Sequence, residues 1–328
     1  MWRQTVEALK KKYSAIGLGK ICALFGKTRQ GWYEGMNRAD EEQVCERIIY
    51  YEIKRIRLKQ PNSGLLKLYE QLKPFFERWG IRMGRDKLAD FMRENGLFVR
   101  RKAYRVYTTN SFHRFHKYCN KTLGLVLNKR NQLWVTDITY VRLKSVKGEF
   151  AYLSLITDAY SRKIVGWCLW KTLSTQGSLN ALNQALKPLK KGDTEGLIHH
   201  SDRGIQYCSD VYTARLSQYK YGSIEISMTE NGDPYENALA ERMNRTIKEE
   251  MLNNRIFDSF EQANEAISGA IKEYNEVRPH QSINFLTSEK AHEMTGDIPK
   301  RWKKYPFKPK KDCCEITPLA APQAQGVA

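Results

Sequence analysis

Trp134-Val-Thr-Asp-Ile-Thr-Tyr-Val141 is the stretch that decides the fold of this 328-residue chain. Its β-branched and aromatic residues favour a strand, a setting in which aspartate is depleted, so Asp137 stands out. A carboxylate flanked by Trp134, Val135 and Ile138 needs a partner when it is buried, and a metal ion is one such partner. The stretch therefore predicts both a core strand and a candidate metal ligand.

The sequence around this stretch predicts alternating strands and helices from residue 132 onward. The first three strands are predicted as an antiparallel meander, because turn-forming residues separate them. The predicted strands are 133–143, 150–157, 163–170, 197–202 and 224–228, and the predicted helices are 175–189, 210–219, 235–254 and 260–276. We expect a mixed α/β domain over 132–300, followed by a tail, 301–328, that is basic and then disordered.

A second acidic residue, Asp202, ends the run Leu197-Ile-His-His-Ser-Asp-Arg-Gly204. It is either a turn-initiating aspartate or a metal ligand exposed at the end of a strand. His199 and His200 are interpreted as structural or DNA-contacting residues rather than metal ligands. Asp158, in Asp-Ala-Tyr-Ser-Arg162, is interpreted as a hairpin-turn residue.

The third acidic residue, Glu241, falls in a segment with strong helix-start signals. Asp233 is a suitable N-cap, Pro234 suits the first helical position, and Glu236 completes a capping box. This places Glu241 in the second turn. A single face is predicted to carry four polar residues, which are Asn237, Glu241, Arg245 and Lys248. Taken by itself, such a face is better explained by surface ion pairing than by catalysis.

The N-terminal third is predicted to be helical. Segment 1–38 resembles a helix-turn-helix, with a helix over Leu18–Phe25, a break at Gly26 and a second helix capped by Thr28; an ordinary helical hairpin has the same pattern. Segment 39–97 is predicted to be a helical DNA-binding module whose first helix opens at Asp40. In this module Pro74 is expected to kink or end a helix, and Gly96 to stop the last one.

Segment 98–131 is a basic linker with interleaved aromatic residues. No Asp or Glu occurs between Asn95 and Thr136. Basic side chains contact phosphates and aromatic faces stack on bases, so we expect DNA contacts from Arg100, Arg101, Lys102 and Arg105. A plain interdomain linker is the alternative. His113, His116 and Cys119 have zinc-like spacing, but a fourth ligand is missing.

The overall charge points to a polyanionic partner. Lys and Arg outnumber Asp and Glu by 55 to 36, for a net charge of +19, although a solvated basic surface is the alternative explanation. No signal peptide and no bilayer-length apolar run is visible, so no membrane partner is expected. The scattered cysteines indicate a reduced, cytoplasmic protein.

Taken together, these motifs resemble those of insertion-sequence transposases of the second-frame type, which have a retroviral-integrase-like DDE core. The resemblance covers about 14–295. It is carried by the segments Trp134–Tyr140, His200–Gly204, Ser227–Ala238 with Glu241, and Arg278-Pro-His280, together with Arg93–Leu97 and the basic residues that follow. Two departures are visible: the interval from Asp202 to Glu241 is a few residues longer than usual, which we attribute to 219–223, and Ser288 replaces a common proline.

The resemblance implies a ribonuclease-H-like core and a mobile-element function. Asp137, Asp202 and Glu241 would be catalytic and would bind two Mg²⁺ ions, or Mn²⁺, for 3′-end cleavage and strand transfer. Phosphate contacts would come from Arg203, Arg245 and Lys248. The implied partners are DNA at the element ends and target, further copies of the chain, and an accessory protein from a companion reading frame. The implied location is the bacterial cytoplasm, at the nucleoid.

Two other functions remain open at this point. A catalytically silent DNA-binding regulator derived from a transposase would keep the helical segments without needing the acidic residues. A structure-specific nuclease would keep the metal site without needing the helical segments.

Overall fold

The computed structural model describes residues 2–99, 114–144, 150–230 and 237–299. The predictions for Arg100, Arg101, Lys102 and Arg105, for the Asp233–Glu236 capping signals, and for the tail from 301 lie outside these ranges.

A five-stranded mixed sheet forms the centre of the C-terminal half. Its strands are β1 (Leu133–Arg142), β2 (Phe150–Asp158), β3 (Ile164–Trp170), β4 (Ile198–Ser201) and β5 (Glu225–Met228). Their spatial order is β3-β2-β1-β4-β5; β1, β2 and β3 are antiparallel, whereas β4 and β5 continue parallel to β1. This is the strand arrangement of a ribonuclease-H-like core, which confirms the predicted fold class.

Helices cover both faces of the sheet. Their bounds are α6 (Thr175–Leu186), α7 (Ile205–Cys208), α8 (Asp210–Ser217), α9 (Ala238–Arg245), α10 (Phe260–Glu276) and α11 (Ser288–His292), with a π-helix at Thr246–Met251 and a 3₁₀ turn at Gln281–Ile283. Because side chains alternate along a strand, Trp134 and Ile156 pack with α6, α7 and α8, whereas Leu153 and Leu155 pack with α9 and α10. Each face of the sheet is therefore buried in a separate apolar cluster.

The N-terminal third is helical, as predicted. It contains α1 (Trp2–Lys12), α2 (Leu18–Ala23), α3 (Arg29–Lys59), α4 (Leu65–Arg78) and α5 (Arg85–Glu94). Thr28 caps α3 by accepting a hydrogen bond from the Gly31 amide at 3.0 Å. The beginning of α3 packs with α1 and α2, and its second half packs with α4 and α5.

One predicted helix start was wrong, and the proline expected to kink or end a helix does not end it. The chain does not begin a new helix at Asp40, because α3 runs without a break from Arg29 to Lys59. An interior aspartate costs a helix only a few tenths of a kcal/mol, so a capping residue without a proline or glycine stop does not end one. Pro74 lies inside α4, which continues for another turn to Arg78. In the described part of the chain, no helix is both long and apolar enough to cross a membrane.

Candidate active site

Asp137 lies on β1, and Asp202 directly follows the neighbouring parallel strand β4. The register of β1 and β4 pairs Val135 with His200, and each aspartate follows two residues later. Adjacent strands lie about 4.8 Å apart, so the continued register brings the two carboxylates side by side. The sheet topology thus joins two residues that are far apart in the sequence.

The Asp137 carboxylate is held in place by two hydrogen bonds. Its Oδ1 accepts from the Ile138 amide at 2.8 Å, and its Oδ2 accepts from the Asn244 side chain, also at 2.8 Å. Burial, followed by the negative charge of Asp202, raises the pKa of Asp137 to about 7, and the two hydrogen bonds oppose that rise. Burial and the neighbouring carboxylate therefore make the charged form of Asp137 unfavourable in the protein alone.

Asp202 is positioned by the turn that follows β4. Its Oδ1 accepts a hydrogen bond from the Gly204 amide at 3.0 Å. A Cβ at residue 204 would lie 2.9 Å from that same oxygen, closer than ordinary contacts allow. Glycine at this position therefore lets the backbone approach the carboxylate closely.

Helix α9 brings Glu241 toward the two aspartates, but it begins later than predicted. Asn237 is the N-cap and Ala238 the first helical residue, so Glu241 lies in the first turn instead of the second. The Asn237 side chain donates to the Thr136 carbonyl on β1 at 3.2 Å. This contact ties the start of α9 to the strand that carries Asp137.

Glu241 is the outermost of the three acidic residues. Its side chain is exposed; partial burial raises its pKa, and the charge of Arg245 opposes that rise. Its negative charge is felt at Asp137 more weakly than that of Asp202. Within the described ranges, no three His, Cys, Asp or Glu side chains converge closely enough to hold a metal ion. The structure thus brings Asp137 and Asp202 together and leaves Glu241 at the rim.

Asn244 is a site residue that the sequence interpretation missed. It is 6 % exposed, and its Oδ1 is buried without a hydrogen-bond partner, while its amide group binds Asp137. The sequence did contain a signal, since Asn237 and Asn244 are two helical turns apart and thus share a face. The unpartnered oxygen adds an acceptor beside the carboxylates, a donor set that suits a hard cation.

Basic side chains surround the acidic residues. Lys248 lies close enough to Asp137 for the two charges to interact, although burial is the largest influence on its pKa and lowers it. Arg245 is exposed and forms a 3.4 Å ion pair with Glu249. Arg203 directly follows Asp202 and, with Lys117, lies near Cys208.

The other polar candidates have structural roles. His199 Nε2 lies 3.0 Å from the Tyr212 hydroxyl, and His200 Nδ1 lies 2.9 Å from Ser227 Oγ, both inside the core. Burial lowers the pKa of His199 to about 3, so it is neutral. Asp158 is fully buried and accepts hydrogen bonds from the Asn131 amide and from the Ser161 amide and hydroxyl, as expected of a turn residue.

The described end of the basic linker packs on the core. Phe115 and Tyr118 contact the apolar cluster under α6–α8, and Lys121 forms a 2.7 Å ion pair with Glu225. The His116 ring packs edge-on against Tyr118. This part of the linker therefore has the packing role that was the alternative to DNA contact; His113 and the predicted DNA-contacting arginines lie outside the described residues.

Two family models, both described as integrase core domain, match residues 128–234 and 222–287 of the chain. The first range contains Asp137 and Asp202, and the second contains Glu241 and Asn244. Together they span β1–β5 and the helices that pack on the sheet.

Among solved structures, the chain is similar to the HTLV-2 integrase catalytic core domain in complex with magnesium (20% identity, TM-score 0.37, covering 50% of this chain and 97% of that one). It is also similar to a chain of the simian T-cell lymphotropic virus intasome (15% identity, TM-score 0.42, covering 76% and 77%).

Several curated relatives come from insertion sequences. The uncharacterized 31 kDa protein of IS600 from Shigella sonnei is 32% identical over 284 residues, which are 85% of this chain and 95% of the relative. Transposase InsF of IS3A from Escherichia coli is 26% identical, with 86% and 96% covered. The IS629 transposase from Shigella sonnei is 34% identical, with 58% and 60% covered. The first two alignments are long enough to reach beyond the integrase-core segment into the N-terminal helices.

Proposed function

Because this chain belongs to the insertion-sequence transposases with an integrase core, and is therefore a DNA transposase, we propose that Asp137, Asp202 and Glu241 perform its phosphodiester chemistry. The observation that carries this assignment is the adjacency of Asp137 on β1 and Asp202 directly after β4, close enough for the charge of Asp202 to act on Asp137. The attachment of α9 to β1 through Asn237 and Asn244 supports Glu241 as the third member.

The proposed cofactor is Mg²⁺, with Mn²⁺ as a substitute and two ions per site. Carboxylate and amide oxygens are the ligands that such hard cations prefer, and Asp137, Asp202 and Glu241 would hold them. Bound there, divalent cations would stabilise charge on the attacking and leaving oxygens of an in-line displacement. The raised pKa of Asp137 supports this fit, because a cation would offset the cost of burying its charge and the repulsion from Asp202.

The proposed reaction has two steps, cleavage and strand transfer, which take place at the same active site. In cleavage, a water oxygen bonds to the phosphorus at the element end; the P–O3′ bond breaks, and the departing oxygen takes up a proton as a free 3′-hydroxyl. In strand transfer, that 3′-oxygen bonds to a target phosphorus and releases a target 3′-hydroxyl. Asn244 would hold the Asp137 carboxylate in one orientation throughout.

The basic residues near the site would contact the DNA backbone. Lys248 is the best placed of these residues, because it lies on the side of the helix that faces Asp137. Arg203 and Arg245 would bind phosphates on either side of Lys248. We assign Arg100, Arg101, Lys102 and Arg105 to the same partner. Assembly of several copies on paired element ends, help from a companion-frame protein and residence at the bacterial nucleoid belong to the same proposal.

Strand joining of a labelled element end tests the assignment. Asp202→Asn keeps size and hydrogen bonding but removes the charge, so we expect normal DNA binding and a loss of joining of at least about a hundredfold. Asp210→Asn is the matched control, because Asp210 is an exposed residue in the first turn of α8, and it should join like wild type. Joining by Asp202→Asn at the wild-type rate would refute the catalytic role. Binding without joining by wild type would favour the silent regulator.

A further inference from the structure

A buried ion-pair network connects the N-terminal helices to the end of the continuous helix formed by α9 and the π-helix Thr246–Met251. We call this helix, which carries Glu241, the catalytic helix. Lys67 on α4 donates to Glu250 Oε2, and Arg278 donates to both oxygens of the same carboxylate, at 2.9 Å each. The side chains of Lys67, Glu250 and Arg278 are 22%, 13% and 7% exposed. A carboxylate this well enclosed, with two cations, differs from the exposed ion pairs elsewhere on the helices.

Backbone and amide contacts strengthen the same connection. In the loop between α3 and α4, the Asn62 amide donates to the Glu250 carbonyl at 3.1 Å, and the Asn62 side chain donates to the Glu249 carbonyl at 2.6 Å. Gln60 donates to Glu273 on α10 at 3.0 Å. We call these contacts, together with Lys67–Glu250–Arg278, the module joint.

The module joint contacts one side of the catalytic helix, and the opposite side of this helix faces the active site. Helix α9 continues directly into the π-helix Thr246–Met251, and this continuous helix carries Glu241, Asn244, Lys248 and Glu250. Residues two apart on a helix point in nearly opposite directions, so Lys248 faces Asp137 while Glu250 faces α4. π-turns are rare and often occur at functional sites.

We propose that Lys67 and Glu250 are positioning residues: docking of α3–α5 at the module joint holds the catalytic helix in the orientation in which Asn244 binds Asp137. The proposal rests on the proposed function, because the helix matters for chemistry only if Asp137 and Glu241 act in it. In this arrangement the catalytic helix connects the N-terminal helices, which we expect to bind DNA, with the acidic residues, which we expect to cleave it. Weakening the module joint would displace the acidic residues without removing any side chain that takes part in cleavage or strand transfer.

Lys67→Met is the most specific test, because it removes the positive charge that α4 contributes to the module joint. The Glu250–Arg278 ion pair inside the core is left in place. Lys73→Met is the matched control: Lys73 lies on the same helix, and its ion pair is with Glu70 of that helix. Lys67→Arg should restore function by restoring the ion pair. Asn62→Ala, which removes the bond to the Glu249 carbonyl, provides a second variant if Lys67→Met does not fold.

Three quantities are measured on the full-length protein: the joining rate at saturating DNA, the affinity for the element end, and amide hydrogen exchange over 242–252. For Lys67→Met we expect a joining rate about tenfold lower, unchanged affinity and faster exchange, since a shift of a fraction of an ångström costs part of the roughly hundredfold that a full ångström can cost. Rates and exchange equal to those of Lys73→Met would overturn the proposal. Weaker affinity with an unchanged saturated rate would also overturn it, because Lys67 would then be a DNA contact.

The exchange measurement separates this proposal from the catalytic one. If wild type fails to join DNA, the proposed function fails, yet faster exchange in Lys67→Met would still establish the mechanical link. If wild type joins and Asp202→Asn does not, but Lys67→Met matches its control in rate and exchange, only the positioning role is lost.

Discussion

At the scale of the residue, the candidate site depends on charged side chains whose burial would destabilise the protein if they had no partners. Asp137 interrupts an apolar strand, and burial with Asp202 raises its pKa to about 7. The isolated protein meets that cost only in part, through the Ile138 amide and the Asn244 side chain. Residues retained in such an environment are candidates for function, because ordinary packing would replace them with apolar side chains.

Gly204→Ala tests how tightly Asp202 is positioned. The glycine has an ordinary φ of −65°, so backbone strain is not the issue; a new Cβ would instead lie 2.9 Å from Asp202 Oδ1. We expect the carboxylate to rotate away and the joining rate to fall about tenfold or more, with little change in DNA affinity. Gly19→Ala, where a Cβ meets nothing within 4 Å, is the control. A wild-type rate for Gly204→Ala would show that the Asp202 orientation is not critical.

At the scale of the element, the sequence predicted strands better than helix limits. The β1, β2 and β3 limits agree with the prediction within a residue, because alternation and turn residues mark both ends of a strand. The start of α9 was wrong, since the signals at Asp233, Pro234 and Glu236 precede the observed N-cap Asn237. Asn237 instead turns its side chain to β1, a tertiary contact that local helix rules do not contain.

The same substitution should have opposite effects in two elements. At Gly166 on β3 a Cβ would lie 2.2 Å from the Ala181 carbonyl oxygen of α6, so Gly166→Ala should lower the free energy of unfolding by about 1–3 kcal/mol. At Gly269, exposed within α10, a Cβ meets nothing within 4 Å, so Gly269→Ala should raise it by about 1 kcal/mol. Urea unfolding of both variants measures the difference. Equal effects would mean that β3 and α6 can separate without cost.

At the scale of the whole molecule, the decisive contacts connect distant parts of the chain. Lys67 and Glu250 are 183 positions apart, and Asn244 and Asp137 are 107 apart. Periodicity and capping describe neighbours along the chain, so the sequence could nominate Asp137, Asp202 and Glu241 through their local settings. It could not pair Lys67 with Glu250, because each looks like an ordinary surface charge on its own helix.

The module joint should make stability depend on pH through Glu250. Burial raises the pKa of Glu250, but the hydrogen bonds and charges of Arg278 and Lys67 outweigh it, so the pKa lies below its ordinary value of 4.5. A carboxylate with a lowered folded pKa stabilises the protein fully above its unfolded pKa, and this contribution is lost as the pH falls through the folded pKa. Glu250→Gln should therefore destabilise the protein most at neutral pH, by about 3 kcal/mol, because it leaves two enclosed cations without their partner.

Urea unfolding of wild type and Glu250→Gln at pH 7 and again near pH 3 measures this dependence. Comparing the two proteins at each pH cancels the contributions of other buried groups, such as His199 and Asp137, which titrate in both. The difference in unfolding free energy should shrink toward zero on acidification, as wild-type Glu250 becomes protonated. Glu249→Gln is the matched control: Glu249 is the neighbouring residue, with a side chain 41% exposed, and its loss should cost under about 0.5 kcal/mol. A difference for Glu250→Gln that stays constant with pH would mean that size and packing, rather than charge, make Glu250 important in the joint.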